Sequence, residues 1–262
     1  MFRHLSLALH YFRLGLATEM EYRMNFFIQL ITACINLAVS LGGLEIIFSH
    51  TQTLNGWTHT ELLALIGVYF LMSALIHTII QPSLQKFMED VRGGTLDFLL
   101  LKPVEPQWLV SVRQVQVMQL ANVLLGAVVI TVALMRMGTA ITIAHTAAFL
   151  LALTLGLIIV YCFWLMLATL VFWFLKIDNI LVIFESLYEA GRWPVGIYPA
   201  WLKFILTFVV PVAFVVTVPA EALAGRLSPQ TLGIGVLLAV AMLVLSRWFW
   251  RRGLRRYEGA SA

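Results

Sequence analysis

Long uncharged apolar runs, separated by short clusters of charge, dominate the chain. The runs fall at 24–48, 61–83, 109–134, 143–175, 202–218 and 231–250. Each is continuous rather than alternating, and most reach the ~20 residues that a helix needs to cross a bilayer. A membrane β-barrel needs alternating ~10-residue segments and is excluded. The pattern predicts an all-α integral membrane protein of six crossings. The fourth run, 33 residues without a charge, exceeds one crossing and predicts a tilted helix or one continuing along the surface.

Finer periodicity adds detail. Phe2, Leu5, Leu9, Phe12 and Leu16 recur at helical spacing, with Arg3, His10 and Arg13 off that stripe. An interfacial helix over 1–22 is expected, its basic side toward anionic lipid, in preference to a disordered basic tail. Arg13 interrupts the apolar stretch and no small-x-small site follows, so the segment does not read as a cleaved signal peptide. Asn25, Gln29, Thr32, Asn36, Ser40 and Gly43 fall within roughly 80° of arc on the first crossing. Tyr69, Ser73, His77 and Gln81 form a similar stripe on the second. Such groups require protein or water beside them, so Asn25, Gln29, Asn36, Tyr69, Ser73 and His77 are candidates to line a substrate path. Packing within the subunit would satisfy them equally, and a single membrane histidine is more often a packing residue than a proton relay.

Between the second and third crossings, Lys86, Glu89, Asp90, Arg92, Asp97, Lys102 and Glu105 crowd into 84–107. Gly93-Gly94 ends one short helix, Thr95-Leu96-Asp97 starts another and Pro103 stops it. Two short charged helices would form a docking surface for a soluble partner; an ordinary solvated loop is the plainer alternative. Asp178, Glu185, Glu189 and Arg192 lie on one helical face, which predicts a helix near the membrane surface. Asn55-Gly56 marks a turn, and Thr58-x-x-Glu61 a capping box opening the second crossing. The fifth run holds Pro211 and stops at Pro219, and 219–226, too short to cross, is expected to be re-entrant before the sixth crossing.

Composition agrees with this picture. Apolar residues make up 61% of the 262 positions and charged residues 11%, against about 45–50% and 25% in soluble domains. Starting the count of loops from a cytoplasmic N-terminus leaves only Arg136 and Arg226, of 17 basic residues, outside. Both termini are therefore expected in the cytoplasm. The net charge of +4 reflects this loop bias and does not point to nucleic acid. Cys34 and Cys162 sit in apolar runs, as small hydrophobes rather than a disulfide or metal pair.

Catalytic signatures are lacking. A P-loop needs lysine directly after glycine, whereas the four lysines follow Gln85, Leu101, Leu175 and Leu202. There is no His-Glu-x-x-His, no Gly-x-Ser-x-Gly and no zinc spacing. A membrane enzyme using Asp178, Glu185, Glu189 or His145 is the remaining catalytic reading.

The run Arg92-Gly-Gly-Thr-Leu-Asp-Phe-Leu-Leu-Leu-Lys-Pro103 resembles the signature of a bacterial family of ABC-2 exporter permeases. Arg192-Trp-Pro…Tyr198-Pro-Ala-Trp201, Pro211, Pro219-Ala and Gly253-Leu-Arg-Arg-Tyr257 are similar to the same family, while Glu258-Gly-Ala-Ser departs from its serine-rich ending. The resemblance spans the whole chain. It implies a half-transporter of the bacterial inner membrane that pairs with an identical or related permease chain. A dimer of separate cytoplasmic ABC ATPases, which bind the ATP and Mg, would drive it; this chain itself would hold no cofactor. Segment 84–107 becomes the coupling element, with Glu89, Asp90, Arg92, Asp97 and Lys102 as candidate ATPase contacts. Cargo would be a lipid, glycan, peptide or drug moved outward. A proton-coupled secondary transporter and a non-transporting membrane anchor are the competing readings. The first would need ionisable groups at mid-membrane, and among the acids only Glu45 lies within a crossing, near its outer end, with Glu61 at the very start of the second.

Overall fold

A computed structural model describes residues 23–138, 142–174 and 178–257, and these are all-helical. The interfacial helix expected over 1–22 lies outside the described residues. The helices are α1 (Arg23–His50), α2 (His59–Arg92), α3 (Asp97–Leu100), α4 (Pro106–Val112), α5 (Val117–Met137) and α6 (Ile143–Phe172). There follow α7 (Asp178–Glu189), α8 (Ala200–Val209), α9 (Ala213–Leu223) and α10 (Pro229–Leu254). Five of them, α1, α2, α5, α6 and α10, are long and apolar enough to cross a membrane. The bent pair α8–α9, taken as one span, makes a sixth.

Helix α2 is the hub. Its apolar window is 72% buried by the rest of the chain, against 17% for α1 and α10. The outer helices therefore show apolar side chains such as Phe27, Ile31, Leu237 and Val244 to their surroundings, which hydrocarbon and not water can cover. Van der Waals fit has to supply the association that hydrophobic burial supplies in water, and two glycines show how. A methyl group placed on Gly67 of α2 would lie 2.8 Å from Ile130 Cγ1. One on Gly126 of α5 would lie 2.6 Å from the Leu71 backbone nitrogen. Glycine at both positions lets the α2 and α5 backbones touch.

The expected turn and cap at the start of α2 are present. Asn55 and Gly56 take φ of +50° and +78°, a tight turn closed by paired Leu54–Trp57 backbone hydrogen bonds of 2.9 and 3.0 Å. Thr58 N–H donates to Glu61 Oε2 at 2.7 Å. The other Glu61 oxygen takes Arg226 Nε at 2.9 Å, and Arg226 lies over the Trp57 ring at 5.5 Å. One carboxylate thus caps α2 and fixes the loop that precedes α10.

Elsewhere the element boundaries differ from the sequence expectation, each for a local reason. The run beginning at 109 is broken, because α4 ends at Val112 and the long helix starts only at Val117. Residues between them are held on α2: Ser83 Oγ donates to Gln114 O at 2.7 Å, and Gln116 N–H to Thr78 O at 2.8 Å. The fifth run breaks at Pro211, where α8 and α9 meet at 76°. Val210 is driven extended there (φ −119°, ψ 95°), as a residue before proline tends to be. Pro219 does not end a helix as expected; α9 continues through it to Leu223. The preceding turn, Ala213–Thr217, is widened into a π-helix, which shifts the carbonyls that the proline ring would otherwise meet.

At the Arg92 end of α2 an aromatic knot ties three helices. Phe87, Phe172 and Trp250 meet pairwise in edge-on and tilted contacts at centroid distances of 5.1–6.1 Å, and Tyr257 adds to Phe172 at 5.8 Å. Trp250 is buried, while Trp248, two residues earlier on α10, faces outward.

Candidate functional site

Two polar regions stand out from the apolar fabric. The first is a cleft of two adjoining lobes, about 260 and 220 Å³, that share Asn36, Tyr69, Ser73, His77 and Arg192. The first lobe extends between α1 and the start of α5 to Gln29, Thr32 and Asn122. The second reaches α6 and α7 at Trp164, Glu185, Tyr188 and Glu189.

Of the substrate-path candidates, the fold brings Gln29, Asn36, Tyr69, Ser73 and His77 together here. Asn25 lies at the start of α1, and its side chain is outside the described residues. The stripes on the first two helices therefore converge, because α1 lies beside α2 with these faces inward. What the sequence did not reveal is the third wall. Glu185, Glu189 and Arg192 share a helical face, and that face turns to the cleft. Two acids are thereby brought to the cleft's rim, Glu185 half-buried and Glu189 exposed.

Local bonding gives the cleft its chemistry. His77 Nδ1 is 2.7 Å from the carbonyl oxygen of Ser73, one turn back. A carbonyl can only accept, so the Nδ1 carries a proton in this contact. Tyr188 Oη donates to the Tyr69 carbonyl at 3.2 Å, and the two rings stack at 5.1 Å. The Arg192 guanidinium lies 5.4 Å from the centre of the Tyr69 ring and 3.7 Å from Glu189. Gln81 donates to Glu185 at 2.7 Å. Three polar atoms in the walls have no hydrogen-bond partner in the chain although buried: Arg192 Nε, Gln29 Oε1 and Trp164 Nε1. Buried polar atoms are rarely left so.

The second region is the charged connector after α2. Its bonding is of the opposite kind. Asp90, in the last turn of α2, is only 6% exposed. It is ion-paired with Arg113 beyond α4 and lies 3.7 Å from Lys86, and it accepts from Thr95 Oγ1 at 3.1 Å. Glu105 pairs with Arg247 of α10, whose guanidinium also donates to Gln107 at 2.7 Å. Asp97 reaches Tyr257, whose phenol is pushed up by burial first and by that carboxylate second. The connector is thus a ledge pinned to α2 and α10.

The candidate coupling residues divide accordingly. Glu89, Arg92 and Lys102 are exposed, and Asp97 is half-buried. Asp90 does not belong with them: its carboxylate is turned inward and engaged by the chain's own cations. Sequence reasoning also passed over the two residues most prominent at the tip, Phe98 at 72% and Leu101 at 81% exposure. They were visible only as part of an apolar run, Phe98-Leu-Leu-Leu101, of which Leu99 is buried.

Among the described residues no group of three or more His, Cys, Asp or Glu side chains is placed to hold a metal ion. Comparison with curated proteins and with solved structures returned no match. A family model described as "ABC-2 family transporter protein" matches residues 34–261, nearly the whole described chain. With its five or six membrane-capable helices, the chain belongs to the ABC-2 transporter family, as a multi-pass membrane permease.

Proposed function

We propose that this chain is the membrane-spanning half of an ATP-driven exporter. It carries amphipathic cargo from the inner side of the bacterial cytoplasmic membrane outward. A cytoplasmic ATPase dimer on separate polypeptides supplies the energy, and a second permease chain, identical or related, completes the pathway. The observation that carries this reading is the ledge: a charge-rich connector pinned at Asp90–Arg113 and Glu105–Arg247, with two large apolar side chains held outward at its tip. Exposed apolar groups on a rigid charged element mark a protein contact. Phe98 and Leu101 seat in the ATPase, and the exposed Glu89, Arg92 and Lys102 nearby in sequence add charged contacts. Asp90 acts behind the surface, by holding the ledge rigid enough to pass the ATPase's movement into α2 and α10. ATP and Mg are bound by that partner, in keeping with the missing P-loop.

Co-purification tests this directly. The chain is isolated in mild detergent and its companions identified by mass spectrometry, beside a Phe98→Ser/Leu101→Ser variant. An ATPase subunit that accompanies the parent and is lost from the variant is the expected result; a second permease chain would be identified in the same experiment. Absence of any ATPase from a folded parent chain would overturn the reading in favour of proton coupling or a passive anchor.

A further inference from the structure

The last two turns of α10 carry a charged surface that lies apart from both the cleft and the ledge. Trp248, Arg251, Arg252, Arg255 and Arg256 follow one another at i, i+3, i+4, i+7 and i+8, the spacing of one helical face. The helical turn carries on past Leu254, since Arg255 N–H reaches Arg251 O at 3.3 Å and Arg256 N–H reaches Gly253 O at 2.9 Å. All five side chains are exposed.

These arginines differ from the other cations at the same end of the molecule. Arg247 is paired with Glu105 and Arg113 with Asp90. Among the described residues no acid is paired with Arg251, Arg252, Arg255 or Arg256. Arg252 lies instead over the Trp248 ring at 5.8 Å. Four like charges this close repel one another, so an anion beside them is favoured. The opposite side of the helix fixes their direction. Trp250 is buried in the aromatic knot. A methyl group on Gly253 would lie 2.6 Å from the Phe172 ring and 2.7 Å from Thr169 Cγ2. With its back seated this tightly on the end of α6, α10 cannot roll the charged face inward.

What covers the face follows from its continuation along the helix. Leu237, Val240 and Val244 stand in line with Trp248 and are exposed, a surface that hydrocarbon covers. At 1.5 Å per residue, Trp248 lies about 24 Å and Arg255 about 35 Å beyond Leu232, where the apolar run of α10 begins. The edge of a ~30 Å hydrocarbon layer falls between them. One face thus passes from apolar to aromatic to cationic. A soluble acidic partner would meet only its last part. A lipid meets all of it, with an acyl chain along Leu237 and Val244 and phosphate on the guanidiniums. Arg251 and Arg255 stand one turn apart in one column, Arg252 and Arg256 in a second, and each column suits one phosphate.

We propose that this face of α10 is a binding site for anionic phospholipid, each arginine column holding one phosphate, so that a lipid with two phosphates occupies both. In the orientation proposed above the site faces the inner leaflet, but the binding itself does not depend on the permease reading.

The full-length chain in a neutral polyoxyethylene detergent is offered an equimolar mixture of phosphatidylethanolamine, phosphatidylglycerol and diphosphatidylglycerol with matched acyl chains. Retained lipid is read by native mass spectrometry. One arginine beside an anionic headgroup is worth about fivefold in binding. Phosphatidylglycerol is therefore expected at about fivefold to tenfold over phosphatidylethanolamine, and diphosphatidylglycerol at about fivefold again. Arg251→Gln, Arg252→Gln, Arg255→Gln and Arg256→Gln together should bring the three lipids to parity. Arg251→Gln/Arg255→Gln, which leaves one column, should keep the preference for phosphatidylglycerol and lose the extra retention of the two-phosphate lipid; it serves if the fourfold variant does not fold. Arg136→Gln/Lys203→Gln removes two exposed cations from other helices and should leave the order unchanged. Parity in the parent chain would hand the face to a soluble acidic partner and overturn the proposal. So would an unchanged order in the folded Arg251/Arg255 variant, or an equal fall in the Arg136/Lys203 variant, which would reduce the effect to net charge. No ATPase takes part, so failure here leaves the permease reading untouched.

Discussion

The ledge and the cleft use the same residue types to opposite ends. On the ledge the two acids that pin it have cations from distant parts of the chain: Asp90 has Arg113, and Glu105 has Arg247. In the cleft the one ion pair among the described residues is between neighbours in sequence, Glu189 and Arg192, at a loose 3.7 Å, and Glu185 has a neutral partner, Gln81. Saturated charge fixes geometry and leaves nothing for a ligand. Unsaturated polar groups confer little rigidity but retain binding capacity. In the function proposed above, force would enter at the first and cargo at the second.

Double-mutant cycles on the two regions put this contrast at risk. The largest effect is expected at Asp90, whose removal leaves Arg113 without its counter-charge in a mostly buried setting. Breaking a buried pair costs about 3–5 kcal/mol, so Asp90→Ala should sharply lower the thermal unfolding temperature in detergent. Most of that loss should disappear when Arg113→Gln is added, giving a coupling of about 2–3 kcal/mol. Additive single effects would mean that Asp90 is held by helix packing, and the ledge would lose its claim to rigidity.

A smaller effect is expected at Glu105–Arg247. Both side chains are over a third exposed, so screening reduces the pair to about 1 kcal/mol or less. Glu105→Gln should therefore hardly move the unfolding temperature. It should still weaken stimulation of the partner's ATP hydrolysis, because this pair is the ledge's tie to α10. Unchanged stimulation at unchanged ATPase binding would remove α10 from the coupling route.

How much of this was legible in the sequence depended on whether a signal was local. The long apolar runs followed from the width of a bilayer. Asn55-Gly56 and Thr58-x-x-Glu61 each close within four residues, and both were found as read. Non-local features escaped. Asp90 lies four residues from Lys86, which suggests an exposed helix pair, but its decisive partner is Arg113, placed beside it only when the 113–116 stretch docks on Ser83 and Thr78. The spacing of Glu185, Glu189 and Arg192 revealed that they share a face without revealing what that face meets. Pro211 and Pro219 look alike in sequence, and a π-turn precedes each; what separates them is the residue before, extended at Val210 and helical at Val218, so one is a break and the other a continuation.

The smallest effect is expected in the cleft and discriminates most sharply. Glu189 has 66% of its side chain exposed and meets Arg192 only loosely, so the Glu189→Gln/Arg192→Gln cycle should show a coupling under about 0.5 kcal/mol in unfolding. If the cleft serves transport, the same substitutions should change the rate of transport by the assembled exporter severalfold while leaving the unfolding temperature nearly still, since these groups would act on a guest rather than on each other. A coupling above about 2 kcal/mol would mean that Glu189–Arg192 is a structural ion pair like Asp90–Arg113. The cleft would then be a packing defect closed by charge, and the division of labour between the two regions would fail.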